Sequence, residues 1–289
     1  MTNLPIDRLR SLGRLKPLSA ATHAVLSVLT MALMIAAVPQ PEAAASEGDK
    51  PSGLEVAKDS DKAQRSDSEY NVMTMTLENS RGQQRIRTIE GYSHELSGDE
   101  EHRFAKFLEP SDVKDTTLLT YDYRDEDDDI WLYLPALKKV KRILSSNKTD
   151  YFMGSDFTYW DMENLDFINW TYALTGEETI DGVDCWIVEA TPANDEEKKE
   201  SGYEKTASWI SKKDHLPRRV DFHDLKGRHA KRLTTADIRP TSDSDPRPRA
   251  HKLTMENYVT KHKTVLVMEK LALDVAVDEE IFSQRNMRQ

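Results

Sequence analysis

Apolar and polar residues alternate along most of this chain. Residues 71–77 put Met73, Met75 and Leu77 on one side and Thr74 and Thr76 on the other, the period of two expected of a strand with one buried face. A turn at 80–83 and a second alternation at 84–92 complete a hairpin. The pattern recurs at 103–108, 116–121, 130–134, 183–191, 205–211, 217–223, 230–238, 251–258 and 264–273. Residues 124–128 and 224–228 read as hairpin turns, and 192–201 and 241–249 as polar loops. Short strands joined by local turns predict one antiparallel sheet in up-and-down order, not βαβ repeats. Helical spacing is confined to a polar helix over 53–67, a central stretch at 161–172 and the end of the chain at 278–282. In the central block Tyr159, Met162 and Leu165 share one side.

This pattern poses a packing problem. A sheet has two faces, and three short helices can cover one. The expected fold is therefore mainly β (α+β), a single strongly curved antiparallel sheet whose inner face packs on itself or encloses a cavity. Methionines and aromatics crowd the strands, among them Met73, Met75, Trp131, Tyr133, Trp209, Met255, Tyr258 and Met268. Flexible thioethers and flat rings suit a wall that adapts to an acyl chain, and they suit an ordinary core equally well.

The N-terminus has a separate character. Arg8, Arg10, Arg14 and Lys16 precede an apolar run at 24–38, and Ala43, Ala44 and Ala45 follow a proline break. These are the parts of a secretory signal peptide over 1–45, with cleavage after Ala45. At about 1.5 Å per residue the run spans roughly 22 Å, short of a bilayer core of roughly 30 Å, so no stable membrane anchor is expected. Residues 46–66 form a partly helical segment ahead of one domain at 67–289. The lone cysteine, Cys185, lies in a strand-like run, far from the cleavage site; it excludes lipidation there and any internal disulfide, and it reads as a small buried side chain.

Composition narrows the function classes. The net charge of −11 becomes more negative once the leader, with four basic and two acidic groups, is removed. That balance disfavours nucleic acid or an anionic membrane as the primary partner and suits a soluble, monomeric protein. None of the eight histidines falls in HExxH or a similar ligand spacing, and no G-x-S-x-G, C-x-x-C or glycine-rich phosphate loop is present. Residues 124–129 are acidic but lack the glycine and glutamate of a calcium loop, so they read as a charged hairpin tip. His223 beside Asp221 and Asp224 reads as ordinary strand and turn polarity. No catalytic residue, metal or cofactor is expected.

The stretch 130–166 is more specific. Ile130, Leu132 and Leu134 point one way, and Trp131 and Tyr133 the other. Lys138, Lys139, Lys141 and Arg142 then form a basic cluster in an otherwise acidic chain, a surface suited to phosphate head groups or an acidic partner. WLYLP at 131–135, this basic run and FMGSDFTY at 152–159 resemble, in order and spacing, the LolA-like outer membrane lipoprotein-sorting protein family of the Gram-negative periplasm, often associated with RND/MMPL exporters. DCWIVEATP at 184–192, WISK at 209–212, LPR at 216–218 and DEEIF at 278–282 are similar to later family patterns. The resemblance implies an incomplete β-barrel lidded by a few helices, like LolA and LolB, with a hydrophobic cavity for lipoprotein acyl chains or another lipid. It implies a periplasmic carrier acting toward the outer membrane with an RND-type exporter. The ligand-facing candidates are Met73, Met75, Trp131, Tyr133, Arg142, Phe152, Met153 and Phe157, with Lys138, Lys139, Lys141 and Arg142 as a docking surface. The rival reading is a non-carrier accessory that regulates an RND/MMPL exporter through that basic surface.

Overall fold

A computed structural model describes residues 50–96, 100–123, 127–164 and 167–289. The expected leader at 1–45 lies outside these residues, as do Leu165 and part of the turn at 124–128.

Thirteen strands form one antiparallel sheet among the described residues. From the middle to one edge run β1 (Ser68–Glu78), β2 (Gln84–Glu95), β3 (Glu101–Glu109), β4 (Thr117–Asp122), β5 (Asp129–Leu134) and β6 (Lys139–Ile143). Residues 144–169 then carry the chain to the far edge. From there β7 (Trp170–Ile180), β8 (Val183–Pro192), β9 (Tyr203–Ser211), β10 (Pro217–Asp224), β11 (His229–Pro240), β12 (Pro248–Asn257) and β13 (His262–Leu273) return to the middle, where β13 pairs with β1. The edges β6 and β7 do not pair with each other, so the curved sheet is an open barrel. The expected up-and-down order holds within each run and is broken once, by the crossover.

Among the described residues two α-helices accompany the sheet. Ser52 and Glu55 close a capping box at the start of α1 (Gly53–Gln64), and Asn194 caps α2 (Asp195–Ser201). Helix α1 buries Val56 against Val188 of β8 and Ile210 of β9. Its first residue comes so close to β7 that a Cβ on Gly53 would stand 2.5 Å from the backbone carbon of Ala173, an approach that glycine alone permits.

The sheet faces divide the core. On the inner face Met75, Ile89, Phe107, Leu118, Ile130, Leu132 and Ile143 meet Phe152 and Tyr159 of the crossover. Further along, Phe157 of the crossover packs with Trp170, Tyr203, Phe222 and Met255. On the outer face Phe104 and Leu119 lie under Phe282 and Met287 of the C-terminal segment. The crossover is thus a strap laid across the inner face. Polar bonds fix it to four strands: Arg87 Nη1 donates to the Met153 carbonyl at 2.6 Å, and Thr264 Oγ1 to Asp156 Oδ2 at 2.8 Å. Asn257 Nδ2 donates to Tyr151 Oη at 2.9 Å, and Lys231 Nζ donates to Asp161 Oδ2.

Three local expectations need correction. The helix expected over 161–172 is absent among the described residues: a single 3-10 turn covers Trp160–Met162, and Trp170 already starts β7. Strands β6 and β7 were not expected as strands. Most of β6 is exposed and lysine-rich, and a bulge between Leu174 and Gly176 shifts the alternation of β7 by one residue. The polar loop expected at 192–201 holds α2, whose residues form a helix with almost no apolar stripe.

Candidate functional site

The apolar face of β7 to β11 does not meet the facing half of the sheet everywhere. Between them, beside α1 and the strap, lies a cavity of about 890 Å³. Its apolar wall comes from Trp170, Tyr172, Ala190, Ile210, Val220, Phe222 and Leu233. Val220 pairs with Ser208 across one strand boundary and Leu233 across the other, so a continuous cross-strand row faces the space. Trp160 and Trp170 stack obliquely, 5.2 Å between ring centres, and both indoles donate to Glu197 of α2, at 3.3 and 2.7 Å.

The other side of the cavity is polar. Glu95, Glu101, Asp122, Asp127, Asp128, Glu163 and Glu200 line it, with Lys148 among them. Lys148 sits 3.0 Å from Glu163 and 2.6 Å from Glu200 and is almost fully buried. Burial alone would lower the Lys148 ammonium, but Glu163 and Glu200 outweigh it and hold it above the ordinary lysine range. Glu163 and Glu200 share this one ammonium, and the Asp128 carboxyl acts on it as well. Glu163 therefore gives way: burial pushes its carboxyl up to about 8 despite the pull of Lys148. Asp128 is pushed up to about 6, first by burial and then by the charge of Asp122.

A titration consequence follows for Glu163. Its native value of about 8 exceeds the ordinary 4.5, so its contribution to stability is fully present below about pH 4.5 and is lost as pH rises through about 8. Glu163→Gln should therefore gain melting temperature relative to the parent protein as pH is raised from about 5 to about 8. Parallel Tm–pH curves for the two proteins would show that Glu163 does not retain its proton.

Comparison with known proteins fixes the lineage. A family model described as "Uncharacterized protein" matches residues 99–289. A putative outer membrane lipoprotein-sorting protein domain from Vibrio parahaemolyticus superposes with a TM-score of 0.75 at 32% identity, covering 82% of this chain and 98% of that one. A DUF1329 family protein from Desulfovibrio piger gives 0.75 at 31% identity, with 81% and 97% covered. The chain belongs to the LolA-like outer membrane lipoprotein-sorting protein family. A LolA superfamily protein from Nitrosomonas europaea shares the fold at 17% identity, with a TM-score of 0.63 over 82% of this chain and all of that one. No curated protein matches.

Within this LolA-like sheet the residues singled out from sequence fall in three places. Met73, Met75, Phe152 and Met153 belong to the inner core beneath the strap, and Phe157 to the adjoining cluster. Trp131 and Tyr133 are on the outer face under the C-terminal segment, against Phe282 and its neighbours. Arg142 is exposed and pairs with Asp129, while Lys138, Lys139 and Lys141 are exposed around the β5–β6 hairpin. None of these residues is among those lining the cavity. The lining comes instead from α1, α2, the ends of β2 to β4, the strap and the inner face of β7 to β11. Its legible signal was the alternation of the strands that supply the apolar wall, as on β10, where Val220 and Phe222 are set against Arg219 and Asp221.

Other candidates have structural surroundings. Cys185 is fully buried, and burial pushes its thiol up. Asp221 is clasped by Arg219 and Arg232, which outweigh burial and hold it down at about 2, while His223 and His229 stack nearby at 5.4 Å. Among the described residues no group of three or more His, Cys, Asp or Glu is placed to hold a metal ion, and no helix is long and apolar enough to cross a membrane.

Proposed function

We propose that this protein is a periplasmic carrier that holds an acylated or otherwise hydrophobic molecule, a lipoprotein's acyl chains or another lipid, for transfer toward the outer membrane. In this reading an RND-type exporter in the inner membrane supplies the cargo. The observation that carries it is the cavity of about 890 Å³ on the inner side of a LolA-like sheet, with one continuous apolar wall. That volume is in the range of roughly 300–1,000 Å³ that encloses small-molecule ligands. Each methylene buried there contributes about 0.8 kcal/mol, enough to keep a chain out of water yet able to pass to a deeper acceptor. The similarity to a lipoprotein-sorting domain points the same way.

The test is native mass spectrometry of the protein purified from its periplasm, with extraction and identification of any lipid. A stoichiometric lipid or lipopeptide supports the carrier and names its cargo class. An empty protein that also takes up no fluorescent acyl probe would favour the second reading, a non-carrier accessory of an RND/MMPL exporter. The exposure of Lys138, Lys139, Lys141 and Arg142 outside the cavity is what supports that alternative.

A further inference from the structure

The antiparallel order places the β1–β2, β3–β4, β5–β6, β8–β9, β10–β11 and β12–β13 connections at the same end of the sheet. Three of these hairpin tips repeat one chemistry, an exposed apolar side chain followed by a cation. Leu137 precedes Lys138 and Lys139, Leu225 precedes Lys226, and Tyr258 and Val259 precede Lys261. Leu137 is 62% exposed, Val259 53% and Leu225 49%. The tips are locally ordered: His229 stacks edge-on against Tyr258 at 4.8 Å, and the amide of Tyr258 donates to the Ala230 carbonyl at 2.9 Å. Arg81 and Lys114 add exposed cations from the β1–β2 and β3–β4 turns. Acidic groups are present too, but Asp224 is engaged by Arg228, Asp115 by Lys106 and Glu78 by Lys263. Glu109 and Asp112 of the β3–β4 turn stay exposed, as do Asp195 and Glu196 of α2 in the β8–β9 connection, where Lys199 is exposed beside them.

The other end of the sheet is different. Its turns at 181–182, 212–216 and 241–247 carry no exposed large apolar side chain, and in them Asp181, Asp214, Asp243 and Asp245 are set against Lys212, Lys213 and Arg247. The carboxylates of the cavity, from Glu95 and Glu101 to Asp122 and Asp128, lie at that end as well. A net charge of −11 therefore hides an uneven distribution. At physiological ionic strength a charge is screened beyond about 8 Å, so the acidic end does not cancel the basic tips at a surface they touch.

We propose that this turn rim docks on an anionic phospholipid surface. Apolar tips that enter the head-group layer, ringed by lysines that meet lipid phosphates, are the two weak signals that together give reversible membrane association. Contact through this rim turns the acidic side of the cavity away from the bilayer. Cargo then exchanges with a partner protein on the aqueous side and not directly with the lipid beneath. The proposal is independent of what the cavity binds, since none of the three apolar tips lines it.

Flotation of the protein recovered from the periplasm, free of the basic and apolar leader, tests it with vesicles, comparing phosphatidylethanolamine with phosphatidylglycerol against phosphatidylcholine alone. Association is expected with the anionic vesicles, weak on the neutral ones and reduced by salt. Each basic residue at such a surface is worth about a fivefold change in partitioning, so K138E together with K139E should weaken it at least about 30-fold. The triple variant L137S, L225S and V259S, exposed positions with no core role, should also release the protein while its circular dichroism stays unchanged. Equal flotation of either variant, or equal binding to neutral vesicles, would overturn the proposal. Failure to bind vesicles combined with salt-sensitive capture on immobilised polyaspartate would overturn it in favour of an acidic protein partner.

Discussion

Replacing Lys231 by Met is expected to cost about 3–5 kcal/mol in folding free energy, because it takes the Lys231 ammonium away from a buried carboxylate. The Lys231 side chain is 3% exposed and that of Asp161 1%. The ammonium donates to Asp161 Oδ2 and, at 3.3 Å, to the Asp156 carbonyl, and it lies 5.2 Å from the ring centres of both Tyr203 and Phe222. Asp161 also accepts from Tyr203 Oη at 2.8 Å and from the Thr158 amide at 2.7 Å. These bonds orient the carboxylate but do not neutralise it. Lys231 belongs to β11 and Asp161 to the strap, so the pair joins distant parts of the chain across the inner face. Urea denaturation of Lys231→Met measures the cost. Adding Asp161→Asn should recover a large part of it, since the amide keeps hydrogen-bonding partners without a stranded charge. A loss below about 1 kcal/mol in the single variant would show that this ion pair is not what holds the strap.

How far the sequence disclosed this arrangement depends on the kind of signal each element carries. Eleven strands have one face in the core, and their period of two could be read directly. The two that escaped, β6 and β7, are the sheet edges. At an edge one neighbour is missing, burial is partial, and lysines such as Lys139 and Lys141 replace the alternating pattern. The strap was legible as a dense aromatic block but not as a crossover, because its residues are fixed by single bonds to remote strands and follow no period. Alternation on β5 separated Ile130 and Leu132 from Trp131 and Tyr133, yet alternation does not say which side is the inside. The aromatic pair attracted the cavity assignment, whereas the aliphatic residues face inward and the rings lie under Phe282. The cavity escaped for a related reason. Its wall is assembled from six or more segments, and its polar half consists of carboxylates that resemble surface residues until the sheet curls around them.

Filling the cavity should abolish uptake of an acyl ligand while leaving the fold intact, and Val220→Trp is the substitution suited to show it. Val220 is partly exposed, lies in the middle of β10 and faces the free space beside Leu233 and Ser208. An indole there enters a void and does not compress a filled core, so the melting temperature should hold. The volume it occupies excludes several methylenes of a bound chain. At about 0.8 kcal/mol each, the loss of four removes about 3 kcal/mol, roughly a hundredfold in affinity for a fluorescent fatty-acid probe. Lys252→Trp, exposed on β12 with the opposite alternation to Met255, supplies the control and should bind like the parent. If Val220→Trp folds normally and still takes up the probe at full affinity, the chain does not occupy this cavity. The inner core around Phe152 and Met153 would then have to open to admit it, and the Lys231–Asp161 pair, which holds the strap over that core, would be the first contact to break.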